Sequence, residues 1–400
     1  MRLAFSLLST FLLLILAAQA QTWVPVADFP SGRHHPVTFS LNGKGYSVTG
    51  TSSSGLYTKT FYEYDPVLDA WTTLPDFPGE ARGYAIGVVH NDLAYIGFGA
   101  GANNDLNDFW SYDAQNSQWT ELASCPCTPR THPALIALDN KIYMGLGSGT
   151  QNLNDFWEYD IQSNTWSQIS NIPGPPRHHP YQFTAGGEVF AGLGHGNGIY
   201  KDWYKLDTTN NTWAVMANFP GEARVAGTQF DHAGYGYVLS GDGDDHSYMA
   251  TGEMWQYDAS IDSWTQLAPH PGVSRWAPGS FVIGNEVYFF GGVNKQAGSF
   301  PLAAYKYNLT PVSIGIQALN PENLKVYPNP FKDVLNVEMN NLSQLHYRIW
   351  SMDGKVLQKG SVLDGFVNTE DIGNGVFILE IQNSDGITIS RNRVSKLSDL

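Results

Sequence analysis

An apolar stretch, a polar turn, and an aromatic-led stretch closing on glycine follow one another in RHHPVTFSLNGKGYSVTG at 33–50, and the same order returns five more times. Six arginines open the units: Arg33, Arg82, Arg130, Arg177, Arg224 and Arg275. Nine residues after each stands a turn pair (NG, ND, DN, GG, AG and GN). Thirteen after each is an aromatic: Tyr46, Tyr95, Tyr143, Phe190, Tyr237 and Tyr288. Seventeen after each is a glycine, from Gly50 to Gly292. The second half of the unit is as regular. Asp65, Asp113, Asp160, Asp207 and Asp258 each precede a tryptophan by six residues, and each tryptophan precedes the next arginine by eleven. The period is 47 to 51 residues, and its variation lies between the glycine and the aspartate.

Short stretches bounded by turn residues predict hairpins, here two per unit, hence four strands. A lone four-stranded unit cannot bury both faces, whereas several stacked around an axis can. Four strands per 40–50 residues is the arithmetic of a β-propeller. The sixth unit ends in AAYKYN at 303–308, and Ile314 stands where its tryptophan belongs. Trp23 lies ten residues before Arg33 with no strands ahead of it. The N-terminal strand is therefore expected to complete the last blade, giving an all-β, six-bladed propeller over residues 21–310.

These units resemble kelch repeats, in the glycines of GFG, GLG, GLG and GG, the tyrosine, and the spaced tryptophan. VTG at 48–50 and LSG at 239–241 depart from the paired glycines. After a linker at 311–321, residues 322–400 show another β pattern, with Asp353-Gly354 and Asp385-Gly386 as hairpin turns. Alone this predicts a small β-sandwich. The order of Tyr327–Phe331 (YPNPF), Asp353–Val356 and Ile372–Ile381 resembles the type A sorting domain of the bacterial type IX secretion system. That resemblance implies passage through the outer membrane, with the secretion machinery as partner, and then removal of the domain or anchoring at the surface. The chain closes on KLSDL in place of a lysine-rich tail.

The start of the chain agrees with export. Arg2, the apolar run LAFSLLSTFLLLILAA and AQA at 18–20 read as a signal peptide over residues 1–20, cut after Ala20. No later stretch approaches the ~20 apolar residues of a spanning helix. A net charge of −15 disfavours nucleic acid as a partner. Only Cys125 and Cys127 occur, as CPC, so no disulfide framework holds the fold, and the pair could close only a small strained ring.

Residues 21–319 hold 13 Lys plus Arg against 27 Asp plus Glu, and all six arginines of that stretch occupy the repeat position. Each stands at the start of an innermost strand, so the six are expected to ring the channel mouth on the face with the variable loops. Two roles are open to them. They could hold an anionic ligand through forked hydrogen bonds, or tie down blade junctions through backbone carbonyls or acids such as Glu80 and Glu222. His35, His132 and His179 share the position two after the arginine, where the other units have Tyr84, Ala226 and Ala277. With the first and fourth blades opposite each other, the three histidines are expected to converge poorly for a metal and to mark the repeat register, with a channel-lining polar role as the lesser reading. GDGDDHSYM at 241–249 lacks the spacing of a calcium loop. No catalytic set, metal site or cofactor motif rises above the repeat. The expectation is an exported binding module for an anionic glycan or protein ligand, with the arginines and histidines as candidate contacts. The alternative is a carbohydrate-active enzyme similar to the kelch sialic-acid mutarotases.

Overall fold

The computed structural model describes residues 22–310, 324–338, 345–351, 355–362, 365–369, 371–382 and 388–397. The signal segment, the linker and both Asp-Gly turns of the C-terminal part lie outside the described residues. The chain divides into two units at Thr310.

Each period of the first unit folds as a four-stranded antiparallel sheet. In the third, ALIAL, KIYMG, FWEYD and TWSQI become Ala134–Leu138, Lys141–Gly145, Phe156–Asp160 and Thr165–Ile169. Their register sets Ile136 against Tyr143 and Tyr159 against Trp166. The inner strands are buried and the outermost is largely exposed, so the hydrophobic content falls from the axis outward. The unit-opening strands Val37–Leu41, Ile86–His90, Ala134–Leu138, Tyr181–Ala185, Thr228–His232 and Gly279–Ile283 each neighbour the next. The last returns to the first, which closes a ring around an axial channel.

The sixth sheet takes its outer strand from the other end of the chain. Val24–Val26 pairs antiparallel with Ala304–Asn308, with Val24 opposite Lys306 and Val26 opposite Ala304. Phe29, fully buried, follows it and donates its N–H to the Leu302 carbonyl at 2.8 Å.

One device joins the blades repeatedly. Trp71, Trp166, Trp213 and Trp264 donate their indole N–H to the carbonyls of Ala27, Ala123, Ser170 and Ala217 in the segment leaving the preceding blade. The N–H of those same four residues is taken by Asp69, Asn164, Asn211 and Asp262, two residues before each tryptophan. Both backbone polar groups of each connecting residue are thereby satisfied within the fold. The glycine seventeen after each arginine has a steric reason. Gly147 has φ +93, and a Cβ there would sit 2.7 Å from the Thr131 carbonyl oxygen.

His270, buried between blades five and six, donates Nδ1–H to the Pro271 carbonyl and has Nε2 3.0 Å from Ser240 Oγ. Burial, reinforced by Arg275, pushes it down to about 3. The folded state thus resists protonation that the unfolded chain accepts below about 6.5. The stabilisation is complete above that value and is lost as pH falls toward 3. Melting temperature is expected to fall with acidification across this window, and His270→Phe to flatten the dependence. An unchanged slope in the variant would remove His270 from the account.

The C-terminal unit has two sheets. Lys325–Tyr327, Val334–Glu338 and Phe366–Asn368 make one. Val356–Ser361, His346–Ser351, Gly375–Gln382 and Thr388–Lys396 make the other. Phe331 of YPNPF, Leu335, Ile349, Val367, Leu379 and Ile381 fill the core between them. The Lys396 ammonium is buried and donates to the Thr369 carbonyl at 2.8 Å.

Candidate functional site

The chain enters each inner strand through the same bend. The residue two after each arginine has a left-handed backbone: His35, Tyr84, His132, His179, Ala226 and Ala277 all have φ between 50 and 60. A non-glycine residue held there costs on the order of 1 kcal/mol or more. Hydrogen bonds between blades hold it: His35 N–H to Ala277 O, His132 N–H to Tyr84 O, His179 N–H to His132 O, and Ala277 N–H to Ala226 O. These six bends meet at the axis.

The three histidines therefore do not stand apart as the sequence suggested. His35 Nε2 lies 2.8 Å from His179 Nε2 across the axis. The rings of His132 and His179 are 3.6 Å apart, and one nitrogen from each of the three histidines lies within 4.8 Å of the others. The poor convergence expected of opposite blades is corrected by the small circumference at the bend, which brings every side chain at this position to one point. His34 Nδ1, 2.6 Å from His35 Nδ1, holds that ring from behind. Burial, reinforced by neighbouring imidazoles, pushes all three well below the ordinary histidine value, so they are neutral at pH 7. Both ring nitrogens of His132 and Nδ1 of His179 are buried without a hydrogen-bond partner among the described residues. A buried polar group left so costs about 1–3 kcal/mol.

Beneath the histidines the channel opens into a cavity of about 130 Å³, lined by Thr38, Gln182, Thr228 and Ser280 among others. It continues into a wider space of about 500 Å³ toward Ser40, Thr184, Asp231 and His232.

The arginines do not ring the mouth with free forks. Arg33, Arg82, Arg130, Arg177, Arg224 and Arg275 are at most 5% exposed and turn into their own blades. Arg177 is representative: Nε donates to Pro175 O, Nη1 to Leu193 O at 3.0 Å, and the fork takes both oxygens of Asp202. Arg82 and Arg130 grip Asp108 and Asp155 in the same way, and Arg224 meets Glu253. Glu80 and Glu222 offer Arg82 and Arg224 only their backbone carbonyls. Arg33 bonds Thr49 O and Thr60 Oγ1, and Arg275 bonds Gly291 O and Ala303 O. Burial lowers both of these guanidinium values, Arg275 to about 10. In five blades the reason is local: strand two ends in a left-handed turn whose carbonyl needs a buried donor, and the arginine supplies it. In blade five Tyr181 donates to that carbonyl, at Ser240, and Arg224 Nη1 has no partner among the described residues.

What the loop face does present is aromatic. Tyr84 and Phe300 each stack about 6 Å from His34, while Trp276 packs 4.7 Å from both His34 and His35. Tyr57 extends the row beside Tyr84. Lys295 Nζ lies 5.5 Å over the Trp276 ring and pairs with the buried Asp242. The Asp242 carboxylate pairs with Lys295 and that of Asp245 accepts from Ser247, while Asp244 donates its backbone N–H to Glu222.

Residues 28–185 match the family model of the KLHDC2/KLHL20/DRC7 kelch-repeats domain. The solved structure of YjhT aligns with a TM-score of 0.56 at 15% identity, over 63% of this chain and 89% of that one. The first unit is a kelch propeller. Residues 325–395 match the secretion system C-terminal sorting domain, which indicates type IX secretion or attachment at a bacterial cell surface. Over 84 residues the chain is 31% identical to beta-agarase D of Zobellia galactanivorans. That is 21% of this chain, and the chain spans only 17% of that relative's length.

Two features of the kelch propeller escaped the sequence reading. The arginine partners carry a signal, an acid two residues before an aromatic: Asp108 before Trp110, Asp155 before Trp157, Asp202 before Tyr204, Glu253 before Trp255. Each of those aromatics also bonds its acid. The aromatic rim had no such signal, because its members come from different points of the repeat. Cys125 and Cys127, both buried, are joined as a disulfide.

Proposed function

We propose that this exported kelch propeller is a binding module for a polysaccharide, held at the aromatic rim of its loop face. The observation that carries the reading is the set Tyr57, Tyr84, Trp276 and Phe300, half-buried beside the axis around the buried His34. Flat aromatic faces accept the C–H face of a sugar ring, while polar edges around them take its hydroxyls. Four arginines are committed to Asp108, Asp155, Asp202 and Glu253, and Arg33 and Arg275 are buried on hydroxyl and carbonyl oxygens, so an anionic group on the ligand is not what the rim selects. The short match to an agarase agrees with a carbohydrate setting.

An enzyme acting on a carboxylated sugar would call for an arginine and a carboxylate beside the histidines. The lining of the axial cavity contains neither, which favours binding. The test is retention on a panel of immobilised neutral and acidic polysaccharides, agarose among them, followed by calorimetry. Tyr84→Ala with Trp276→Ala is expected to weaken binding about tenfold to a hundredfold, at roughly 0.5–1.5 kcal/mol per aromatic contact. Retention on no polysaccharide, or equal affinity in the double variant, would overturn the reading.

A further inference from the structure

We propose that His35, His132 and His179 form a tris-imidazole site for a divalent transition-metal ion of the zinc–copper class, at the axis of the propeller. The donors suit that class, for which imidazole is a preferred ligand, and no carboxylate lies among them to favour calcium or magnesium.

The geometry is close to what an ion requires. Tetrahedral coordination at about 2.0–2.1 Å puts ligand nitrogens about 3.3 Å apart. The nitrogens here lie between the 2.8 Å of His35 and His179 and the 4.8 Å limit of the group. Side-chain rotations of a few tenths of an ångström to about 1.5 Å bring all three onto one point. The backbone need not move, because it is already pinned by the hydrogen bonds between blades.

Three further observations point to a ligand rather than to packing alone. Both nitrogens of His132 and Nδ1 of His179 are buried with no partner among the described residues, although the rest of the axis is stitched together by hydrogen bonds. His34 holds the Nδ1 side of His35 and so aims Nε2 inward, an outer-shell contact on the nitrogen that faces away from the centre, with an imidazole in place of the more usual carboxylate or carbonyl. Ala226 and Ala277, at the same repeat position, leave the facing side of the ring without a competing donor. The fourth coordination position opens on the cavity of about 130 Å³ and takes a water or a ligand oxygen.

Alanine already occupies this position in two blades with the same backbone, φ 52 at Ala226 and φ 50 at Ala277, so His→Ala is compatible with the fold. The experiment uses untagged secreted protein stripped with EDTA and titrated with Co²⁺ and Zn²⁺. One equivalent of Co²⁺ per chain is expected, with the visible absorption of a four-coordinate nitrogen site, displaced by Zn²⁺. Zn²⁺ should also raise the melting temperature. His35→Ala, His132→Ala and His179→Ala should each weaken binding by at least about a hundredfold, beyond the tenfold to hundredfold carried by outer-shell partners. His90→Gln should bind as the parent does. Near-UV circular dichroism reports that each variant is folded. Absence of stoichiometric binding in the parent would overturn the proposal. So would folded histidine variants that bind no worse than His90→Gln.

Discussion

Deleting residues 22–30 is expected to unfold the propeller at temperatures where the parent is intact. The deletion removes the strand Val24–Val26 and its pairing to Ala304–Asn308. It also removes Trp23, which donates to Ala268 O, and the fully buried Phe29, which packs on Trp71 and Phe290. Loss of a buried phenylalanine costs about 3–5 kcal/mol, and each strand hydrogen bond about 1 kcal/mol. The sum, roughly 5–10 kcal/mol, is comparable to the whole net stability of a domain. The sixth sheet also loses its outer strand, so Ala304–Asn308 becomes an unpaired edge. Removing residues 324–400 breaks none of the propeller's strand pairings and should leave its transition in place. Calorimetry of the two truncations checks this. Equal losses would show that the N-terminal strand does not close the ring.

Asp202→Ala is expected to cost about 3–5 kcal/mol, because it strands the Arg177 guanidinium, which has 0% side-chain exposure, without its counter-charge. The melting temperature should drop by roughly 6–20 °C. The double change Arg177→Met with Asp202→Leu removes both charges and should recover most of that loss, since a buried pair replaced by apolar groups is often neutral. Blades one and six show how the position behaves without an acid: Arg33 turns to Thr60 and Arg275 to the Ala303 carbonyl. The pairs also set an acid limit. Burial alone would raise the carboxyls of Asp155, Asp202 and Glu253, but the guanidinium bonds at the two aspartates, and the Trp255 indole N–H followed by Arg224 at Glu253, outweigh it and hold all three below the ordinary carboxylate range. Their stabilisation is complete above the unfolded value near 4 and is lost as pH falls through the lower folded values. A double variant as unstable as Asp202→Ala would show that the arginine matters through its backbone carbonyl bonds and not through the pair.

The architecture was legible in the chain because it is local and repeated. Strand alternation, turn pairs and the glycine of each left-handed turn act within a few residues, and six copies in one frame leave one way to bury their faces. The unmatched Trp23 and the missing sixth tryptophan pointed to the shared last sheet for the same reason. The destination of side chains at the axis was not legible. A repeat position says that six residues are equivalent, and says nothing of the radius at which they sit. Arg33 and its five counterparts start at the axis but extend outward into their blades, because a buried carbonyl, an acid or both wait there. The residue two positions later bends inward, where the ring is narrowest. His35 and His179, 144 residues apart in sequence, come within 2.8 Å of each other. That meeting depends on blade number, tilt and closure acting together, and only the folded ring contains all three.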